Sequence, residues 1–339
     1  MTDLMALPLI AIAAIFLTWA FDFVNGFHDS ANSIATIVAT KVLTPVQAVS
    51  MAAFFNFMGF VVLGSAVAAM IQTGIINQNL IEASYGLELV LSALLGAIAW
   101  NLITWWLGIP ASSSHALVGG LLGAGGAAIG LDAVNWSGIT KVASFIVVSP
   151  LAGFVAGFLI VAFVIRTMIK YNRHKVNKWF RKLQLVSSAS YSMTHGANDA
   201  QKGMGIIMLV LVASDAAAPT DDAFLWVALS CYLALALGTF FGGWRIVKTM
   251  ASRITRLDPY QGFSAETGAA IMLAATAHFG IPVSTTHTIS GSIMGVGSAK
   301  RLSAVRWGIG RRLVIAWILT IPAAATISGI IFWSYLNIL

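Results

Sequence analysis

The sequence predicts an all-α protein that crosses a membrane several times, and two observations carry that prediction. Hydrophobic residues make up 58% of the 339 residues and charged residues only 9%, whereas a soluble domain carries about 25% charged residues because its surface faces water. The second observation is a set of uncharged apolar stretches, each longer than the roughly 20 residues that a spanning helix needs. A β-barrel is excluded, because its strands would give short alternating segments. The stretches cover 42–81, 89–131 (with His115 inside), 142–165, 223–244 and 313–339.

The distribution of charge predicts how these helices are oriented. The chain carries 19 Lys and Arg against 12 Asp and Glu, a net charge of +7. Seven of the basic residues lie within 166–182, and most others lie within 245–256 and 300–312. Such basic loops are typical of the cytoplasmic side of a membrane protein and not of a nucleic-acid-binding face. We therefore expect no nucleic acid as a partner, about ten alternating apolar segments and both termini outside. The external loops, which carry acidic residues but no Lys or Arg, are expected at 71–88, 131–137 and 214–222.

An internal repeat divides the chain into two halves. Gly-Ile-Pro-Ala-Ser-Ser-Ser-His at 108–115 recurs as Gly-Ile-Pro-Val-Ser-Thr-Thr-His at 280–287, a shift of 280 − 108 = 172 residues. Each half contains an odd number of predicted crossings, so the two halves lie upside down relative to each other, as in many secondary transporters. The sequence thus predicts two inverted repeats with broken helices and helical hairpins. Their expected bounds are 1–165 and 183–339, joined by a cytoplasmic linker at 166–182.

Ionisable and amide side chains are concentrated at two places inside apolar segments. One helix from Leu4 to Thr40 would be about 55 Å long, beyond the roughly 30 Å hydrocarbon core, which predicts a break near Asn25-Gly26 and a matching break in the second half. Charged groups at such depth are costly and face a cavity or a partner. An alternative is that Asp29, Asp199 and Lys202 only pair with one another and fasten two helices. Asp22 and Glu266 also lie inside apolar segments, where a role in the ion path is open. The side chains presented by the two breaks are His28, Asp29 and Asn32, and His195, Asn198, Asp199, Gln201 and Lys202.

The two repeated motifs at 108–115 and 280–287, here called the hairpin tips, predict an anion site. Proline favours the first turn of a new helix, so the hydroxyl cluster after it lies at a helix N-terminus, where free N–H groups attract an anion. Two such N-termini can hold one tetrahedral oxyanion between them. The alternative is that the hydroxyls only bond to their own helices or pack as small residues. For His115 and His287 three roles are open: donation to the anion, transfer of a coupling proton, or capping. The clustered hydroxyls belong to Ser112, Ser113, Ser114, Ser284, Thr285 and Thr286.

At these motifs the sequence resembles the inorganic phosphate transporter (PiT) family, and most closely its bacterial low-affinity Pit-type members. The segments 25–32 and 192–203 resemble the duplicated signature of that family, and the hairpin tips are similar to its helical hairpins. The resemblance implies a secondary symporter of inorganic phosphate with H⁺ or Na⁺, a homodimer that works by alternating access in the bacterial cytoplasmic membrane. It implies no resident cofactor, although phosphate could travel as a complex with a divalent metal. The expected phosphate site comprises the six hydroxyl residues with Asn32, Gln201 and Lys202, and the expected coupling-ion site comprises Asn25, His28, Asp29, His195, Asn198 and Asp199.

Two positions favour H⁺ over Na⁺ as the coupling ion. Many members of the family have Glu in the second helix where this chain has Asn56, and Lys202 supplies an ammonium where its repeat mate Asn32 is neutral. Three other functions stay open. A sulfate permease would use the same hydroxyl chemistry, and a divalent metal transporter could use the His and Asp residues. A lipid-phosphate phosphatase is disfavoured because neither hairpin tip contains Arg, and the HExxH and GxSxG motifs of hydrolases are missing. An enzyme is not expected.

Overall fold

Long apolar helices dominate the fold, in agreement with the predicted class. The structure is a computed structural model that describes residues 7–61, 64–76, 85–130, 132, 134–214 and 221–338. Within these residues the chain forms twelve α-helices and two short 3₁₀ turns, and its β-type pairing is limited to an isolated bridge between Ile76 and Val134. The helices are α1 (Leu9–Ala39), α2 (Pro45–Met58), α3 (Ala66–Gly74), α4 (Gly86–Leu107), α5 (Ser113–Ile129), α6 (Trp136–Met168), α7 (Arg173–Ala213), α8 (Asp221–Phe241), α9 (Trp244–Arg253), α10 (Pro259–His278), α11 (Thr285–Lys300) and α12 (Trp307–Ile338).

The number of helices that could cross a membrane by length and composition is smaller than the predicted ten. In the described part of the chain, five helices qualify, namely α1, α4, α6, α8 and α12, and a sixth span results if α2 and α3, bent by 81°, count as one. The helices α7 and α10 do not qualify, because the side chains that they bury include many polar ones. α11 has 16 residues and is shorter than the roughly 20 residues that a spanning helix needs. The chain is thus a multi-pass membrane protein. Ten crossings, the inverted relation of the halves and the outside termini stay predictions, and the predicted external residues Glu82 and Asp215 lie outside the described residues.

The helices α1 and α7 are continuous where the sequence predicted them to break, so that prediction is wrong. α1 runs through Asn25 and Gly26, and α7 runs through His195 to Gly203. The glycines serve close packing instead: a Cβ on Gly26 would overlap the backbone of Leu235 in α8, and one on Gly196 would overlap the backbone of Asn56. With 31 residues, α1 is about 46 Å long, and a helix of this length fits a thinner bilayer core by tilting.

The interruptions of helical structure occur at the hairpin tips. α4 ends before Gly108, whose φ is 65°, and α10 ends shortly before Gly280, whose φ is 62°. Both values lie in the left-handed region that glycine adopts without strain, so each glycine stops its helix and turns the chain into the Pro-containing loop. α5 and α11 then begin inside the protein, which places their N-termini near its centre.

Each hairpin helix packs on the long helix that follows the other hairpin. α5 packs on α12, and α11 packs on α6. Glycines carry these contacts, because a Cβ on Gly123 would overlap the backbone of Ala325 and one on Gly295 would overlap that of Phe154. These two glycines therefore serve close packing of the hairpin helices. We call this arrangement the crossed packing of the hairpins.

Two apolar clusters enclose a polar middle layer. One cluster contains the first half of α1, α4, α5, the last part of α7 and α8, and the other contains the second half of α1 with α2, α9, α10 and α11. Among the described residues, 22–30 of α1 and 192–199 of α7 belong to neither cluster. Since α1 and α7 pack on each other, these two segments form a polar layer between two apolar ones.

Candidate functional site

The two hairpin tips bring two helix N-termini together. The first hydroxyl of each cluster caps its own helix: Ser112 Oγ accepts from the backbone N–H of His115 at 3.2 Å, and Ser284 Oγ accepts from that of His287 at 3.1 Å. The tips touch directly, because Ser114 Oγ donates to the carbonyl of Val283 at 3.1 Å. Two sets of free helix N–H groups and their dipoles therefore act on one small volume.

A side chain from each long helix reaches the hairpin tip of the opposite half. Asn32 of α1 donates from Nδ2 to Thr286 Oγ1 at 2.9 Å and to Thr285 Oγ1 at 3.3 Å. Lys202 of α7 donates from Nζ to Ser114 Oγ at 2.9 Å. Asn32 and Lys202 are repeat mates, and so are Thr286 and Ser114, so the two contacts are equivalent and crossed. All of these side chains are buried.

Next to the tips lies a cluster of acidic and imidazole groups. Lys202 Nζ lies 2.7 Å from Asp199 Oδ1, and His195 Nε2 lies 3.4 Å from Asp199 Oδ2. His28 Nδ1 lies 2.6 Å from Asp29 Oδ1. These pairs all join residues of one helix, so they do not fasten α1 to α7 in the way that the alternative reading required.

The cluster also joins the two halves across the interface of α1 and α7. One ligand atom each from Asp29, His195 and Asp199 lie within 4.8 Å of one another, and all three residues are buried. Two carboxylates this close repel each other, so the cluster favours a bound proton or cation. Carboxylate oxygens also suit hard cations. The arrangement can therefore hold positive charge beside the anion site.

Several buried polar atoms at the site have no hydrogen-bond partner among the described residues. They are Ser113 Oγ, Asn198 Oδ1 and both side-chain atoms of Asn25. Buried polar groups are nearly always paired, and exceptions occur at functional sites. Asn198 uses its other end to join two helices, since Nδ2 donates to the carbonyls of Thr194 at 2.8 Å and Leu273 at 3.2 Å. The atoms without partners are available to a transported ion.

Gln201, predicted for phosphate, contacts the first turn of α3 with one end of its side-chain amide. Its Oε1 accepts from the backbone N–H groups of Val67 at 2.9 Å and Ala68 at 3.2 Å, in the first turn of α3. Those N–H groups have no partner within their own helix, so the amide of Gln201 caps α3 from outside. This contact connects α3 to the helix that carries the ionic cluster.

His115 and His287 pack against each other behind the hairpin tips. Their ring centroids are 4.8 Å apart and their planes are inclined by 64°, and His287 lies 4.1 Å from the ring of Trp317. Because Ser112 and Ser284 already cap α5 and α11, the helix ends do not depend on the imidazoles. Neither ring nitrogen of His115 has a hydrogen-bond partner among the described residues.

The structure adds polar residues that were not predicted for the site. Asn56 Oδ1 lies 3.3 Å from His195 Nδ1, and Asn56 donates to Thr239 Oγ1 at 2.9 Å. Thr104 Oγ1 of α4 lies 3.0 Å from His28 Nε2. These residues support the imidazoles from α2, α8 and α4. A signal for them was present in the sequence, since isolated Asn and Thr residues interrupt otherwise apolar stretches.

A second polar cluster surrounds Glu266 between α1, α7 and α10. The carboxylate accepts hydrogen bonds from Thr36 Oγ1 at 2.5 Å, Gln184 Nε2 at 3.0 Å and Ser187 Oγ at 2.5 Å. Thr40 Oγ1 donates to Gln184 Oε1 at 2.9 Å. This cluster extends the polar layer of α1 and α7 toward the end of α1 that precedes the basic residue Lys41.

A large cavity lies behind the first hairpin tip but does not contain the ionic cluster. Its volume is about 530 Å³, and its lining includes Trp100, Leu107, Pro110, Leu313 and Arg312. The lining is mostly apolar, so the cavity offers few donors to a small anion.

Comparison with known proteins gives consistent matches over nearly the whole chain. A model of the phosphate transporter family matches residues 25–176 and 164–328. A protein of Rhizobium meliloti described as a probable low-affinity inorganic phosphate transporter is 50% identical over 330 residues, 97% of each chain. A Bacillus subtilis protein with the same description is 44% identical and covers 96% of this chain and 97% of its own. A solved structure described as the sodium-dependent phosphate transporter is 28% identical, with a TM-score of 0.85, over 98% of this chain and 100% of that one.

Proposed function

Because the chain belongs to the phosphate transporter family, we propose that it is a secondary active symporter that carries inorganic phosphate and a cation across the bacterial cytoplasmic membrane. The relatives are transporters, so the chain is not an enzyme. The family predicted from the signature segments and hairpin tips is thereby confirmed.

The observation that carries the proposal is the pair of crossed contacts at the hairpin tips. Asn32 and Lys202 each donate to a hydroxyl at the helix N-terminus of the opposite half. A tetrahedral oxyanion between the tips can take these donors, the hydroxyl of Ser113 and the free N–H groups of α5 and α11. Phosphate would replace the contacts of Asn32 and Lys202 with the hydroxyls. Ser112 and Ser284 would act from behind as caps.

The same contacts supply a means of alternating access. A phosphate held between the tips contacts both halves, so its binding and release depend on how the halves are arranged. In this proposal the halves 1–165 and 183–339 are inverted repeats that move relative to each other around the anion. The linker 166–182 lies in the cytoplasm, both termini lie outside, and the transporter is a homodimer.

The cluster of Asp29, His195 and Asp199 is proposed as the coupling-ion site, with Asn25, His28 and Asn198 beside it. We propose H⁺ as the coupling ion. The ammonium of Lys202 already balances Asp199 at 2.7 Å, and Asn56, which faces His195, brings no charge of its own. A related structure is described as sodium-dependent, so sodium coupling is the outcome that the experiment must be able to reveal. Phosphate in complex with a divalent metal is compatible with the site.

Uptake of labelled phosphate into proteoliposomes tests this function. An imposed inward pH gradient is expected to drive accumulation without Na⁺, and excess sulfate is expected not to compete. Ser113→Ala should reduce uptake, whereas Ser144→Ala serves as a control because that hydroxyl is exposed and bonds only its own helix. Uptake that requires Na⁺ would refute H⁺ coupling. Competition by sulfate would move the substrate to sulfate, and absence of uptake of either anion would refute the symporter.

A further inference from the structure

A buried carboxyl group outside the cluster described above has no hydrogen-bond partner. Asp22 of α1 is 0% exposed, and neither of its oxygens has a hydrogen-bond partner among the described residues. An ionised carboxylate in such a position has lost its water without gaining donors, which is costly. The group is therefore stable when a proton neutralises it or when a positive charge lies close to it.

The surroundings of Asp22 contain one positive charge. Its carboxyl group packs on the backbone of α7 at Gly203, where any Cβ would overlap both oxygens. The titratable groups that interact with it across the described helices are Lys202 and Asp199 from α7 and the thiol of Cys231 from α8. A thiol is a weak donor, so Lys202, the residue next to Gly203, is the group able to balance the charge of Asp22.

Asp22 and Lys202 are also two charged residues of α1 and α7 whose repeat mates are uncharged. The shift of 199 − 29 = 170 residues that aligns Asp29 with Asp199 aligns Asp22 with Ser192 and Asn32 with Lys202. At these two positions α1 thus carries a carboxyl group, and α7 an ammonium, that the other copy lacks. Because the carboxyl group of Asp22 packs on Gly203, the residue after Lys202, the two charged residues lie on adjoining parts of α1 and α7 and can compensate each other in charge.

We propose that Asp22 extends the proposed coupling-ion site of Asp29, His195 and Asp199 and is the member of that site to which the coupling proton binds. When Asp22 is ionised, the ammonium of Lys202 has to balance two carboxylates, those of Asp22 and Asp199. Its charge is then fully offset and does not attract phosphate. When Asp22 takes up a proton from the outer solution, its charge disappears and Lys202 can act on phosphate through its position at Ser114. Phosphate and proton therefore bind together, and after release of phosphate to the cytoplasm the proton leaves as well. This inference rests on the proposed H⁺ symport.

The variant Asp22→Asn, which imitates the protonated carboxyl group, tests the inference in proteoliposomes. Two transport modes are compared: accumulation of labelled phosphate driven by a pH gradient, and exchange of labelled for unlabelled phosphate without a gradient. Exchange needs phosphate binding and conformational change but no net proton movement. We expect Asp22→Asn to lose gradient-driven accumulation by about tenfold or more while exchange persists.

The repeat mate supplies the control. Ser192→Ala also removes a buried polar group without a hydrogen-bond partner, but it should leave both transport modes and their pH dependence unchanged. If Asp22→Asn loses exchange too, phosphate binding to the purified variant is measured: retained binding supports the inference, and lost binding overturns it. Accumulation by Asp22→Asn at the level of the unmodified protein also overturns it. Failure of the unmodified protein to transport phosphate would instead refute the proposed function itself.

Discussion

Replacing Lys202 by its repeat mate, in the variant Lys202→Asn, should make transport depend on Na⁺. Lys202 is 1% exposed, and its ammonium lies 2.7 Å from Asp199. Removing one partner of a buried ion pair leaves an uncompensated charge, which costs about 3–5 kcal/mol. That free energy corresponds to a loss of roughly 100-fold to several thousand-fold in the population of the binding-competent state. Phosphate uptake driven by a pH gradient should fall accordingly in a medium without Na⁺.

Sodium can restore the missing charge, since the ligand atoms of Asp29, His195 and Asp199 lie within 4.8 Å of one another. A cation present at about 100 times its Kd contributes about 2.7 kcal/mol, so Na⁺ should raise the uptake of the variant by about 100-fold while K⁺ should not. The assay is labelled phosphate uptake into proteoliposomes with Na⁺ or K⁺ as the added salt. The exposed residue Lys248 supplies the control variant Lys248→Asn, which should show no sodium dependence. The reasoning would be refuted if Lys202→Asn took up phosphate without Na⁺ as fast as the unmodified protein does. It would also be refuted if the folded variant lost uptake and Na⁺ did not restore it.

Three further predictions concern the hairpins and α3. Gly123→Ala should lower the thermal midpoint of the purified protein, because overpacking costs about 1–3 kcal/mol. The control Gly126→Ala should leave the midpoint unchanged, because nothing lies within 4 Å of the added Cβ. Equal midpoints for the two variants would contradict this prediction. Ser114→Ala should weaken phosphate binding by about tenfold in a calorimetric measurement, because a charge-assisted hydrogen bond is lost. Ser112→Ala should mainly lower the thermal midpoint, because it removes a helix cap worth ~1 kcal/mol. Gln201→Leu should speed hydrogen exchange at the first amides of α3, and unchanged exchange would show that the cap is unimportant.

Much of the site was predictable because its chemistry repeats along the chain. The hydroxyl clusters after Pro110 and Pro282, and the carboxylates Asp29 and Asp199, each appear twice at nearly the same shift. Chance similarity does not give hydroxyls at three consecutive positions in both copies. The all-helical class followed equally from apolar length, since the bilayer requires helices or closed barrels.

The errors came from residues whose role depends on the neighbouring helix. Gly26 was interpreted as a helix break, but glycine is also the residue that lets two helices approach closely, and only the contact with Leu235 distinguishes the two roles. Gln201 was assigned to phosphate because it lies between Asp199 and Lys202 in the signature segment, and the structure adds a contact that the sequence did not show, in which its Oε1 accepts from the first turn of α3. A local sequence cannot show which helix faces which residue.

The crossed packing of the hairpins has a consequence for biosynthesis. α5 ends at Ile129, but its packing partner α12 begins at Trp307, after 307 − 129 − 1 = 177 further residues. At about 5–20 residues per second, the ribosome needs roughly 10–40 s to supply that partner. During this interval the glycine-rich face of α5 is in the nascent membrane protein without the helix that it later contacts. Synthesis therefore has to reach α12 before the glycine-rich face of α5 can be covered by its own chain.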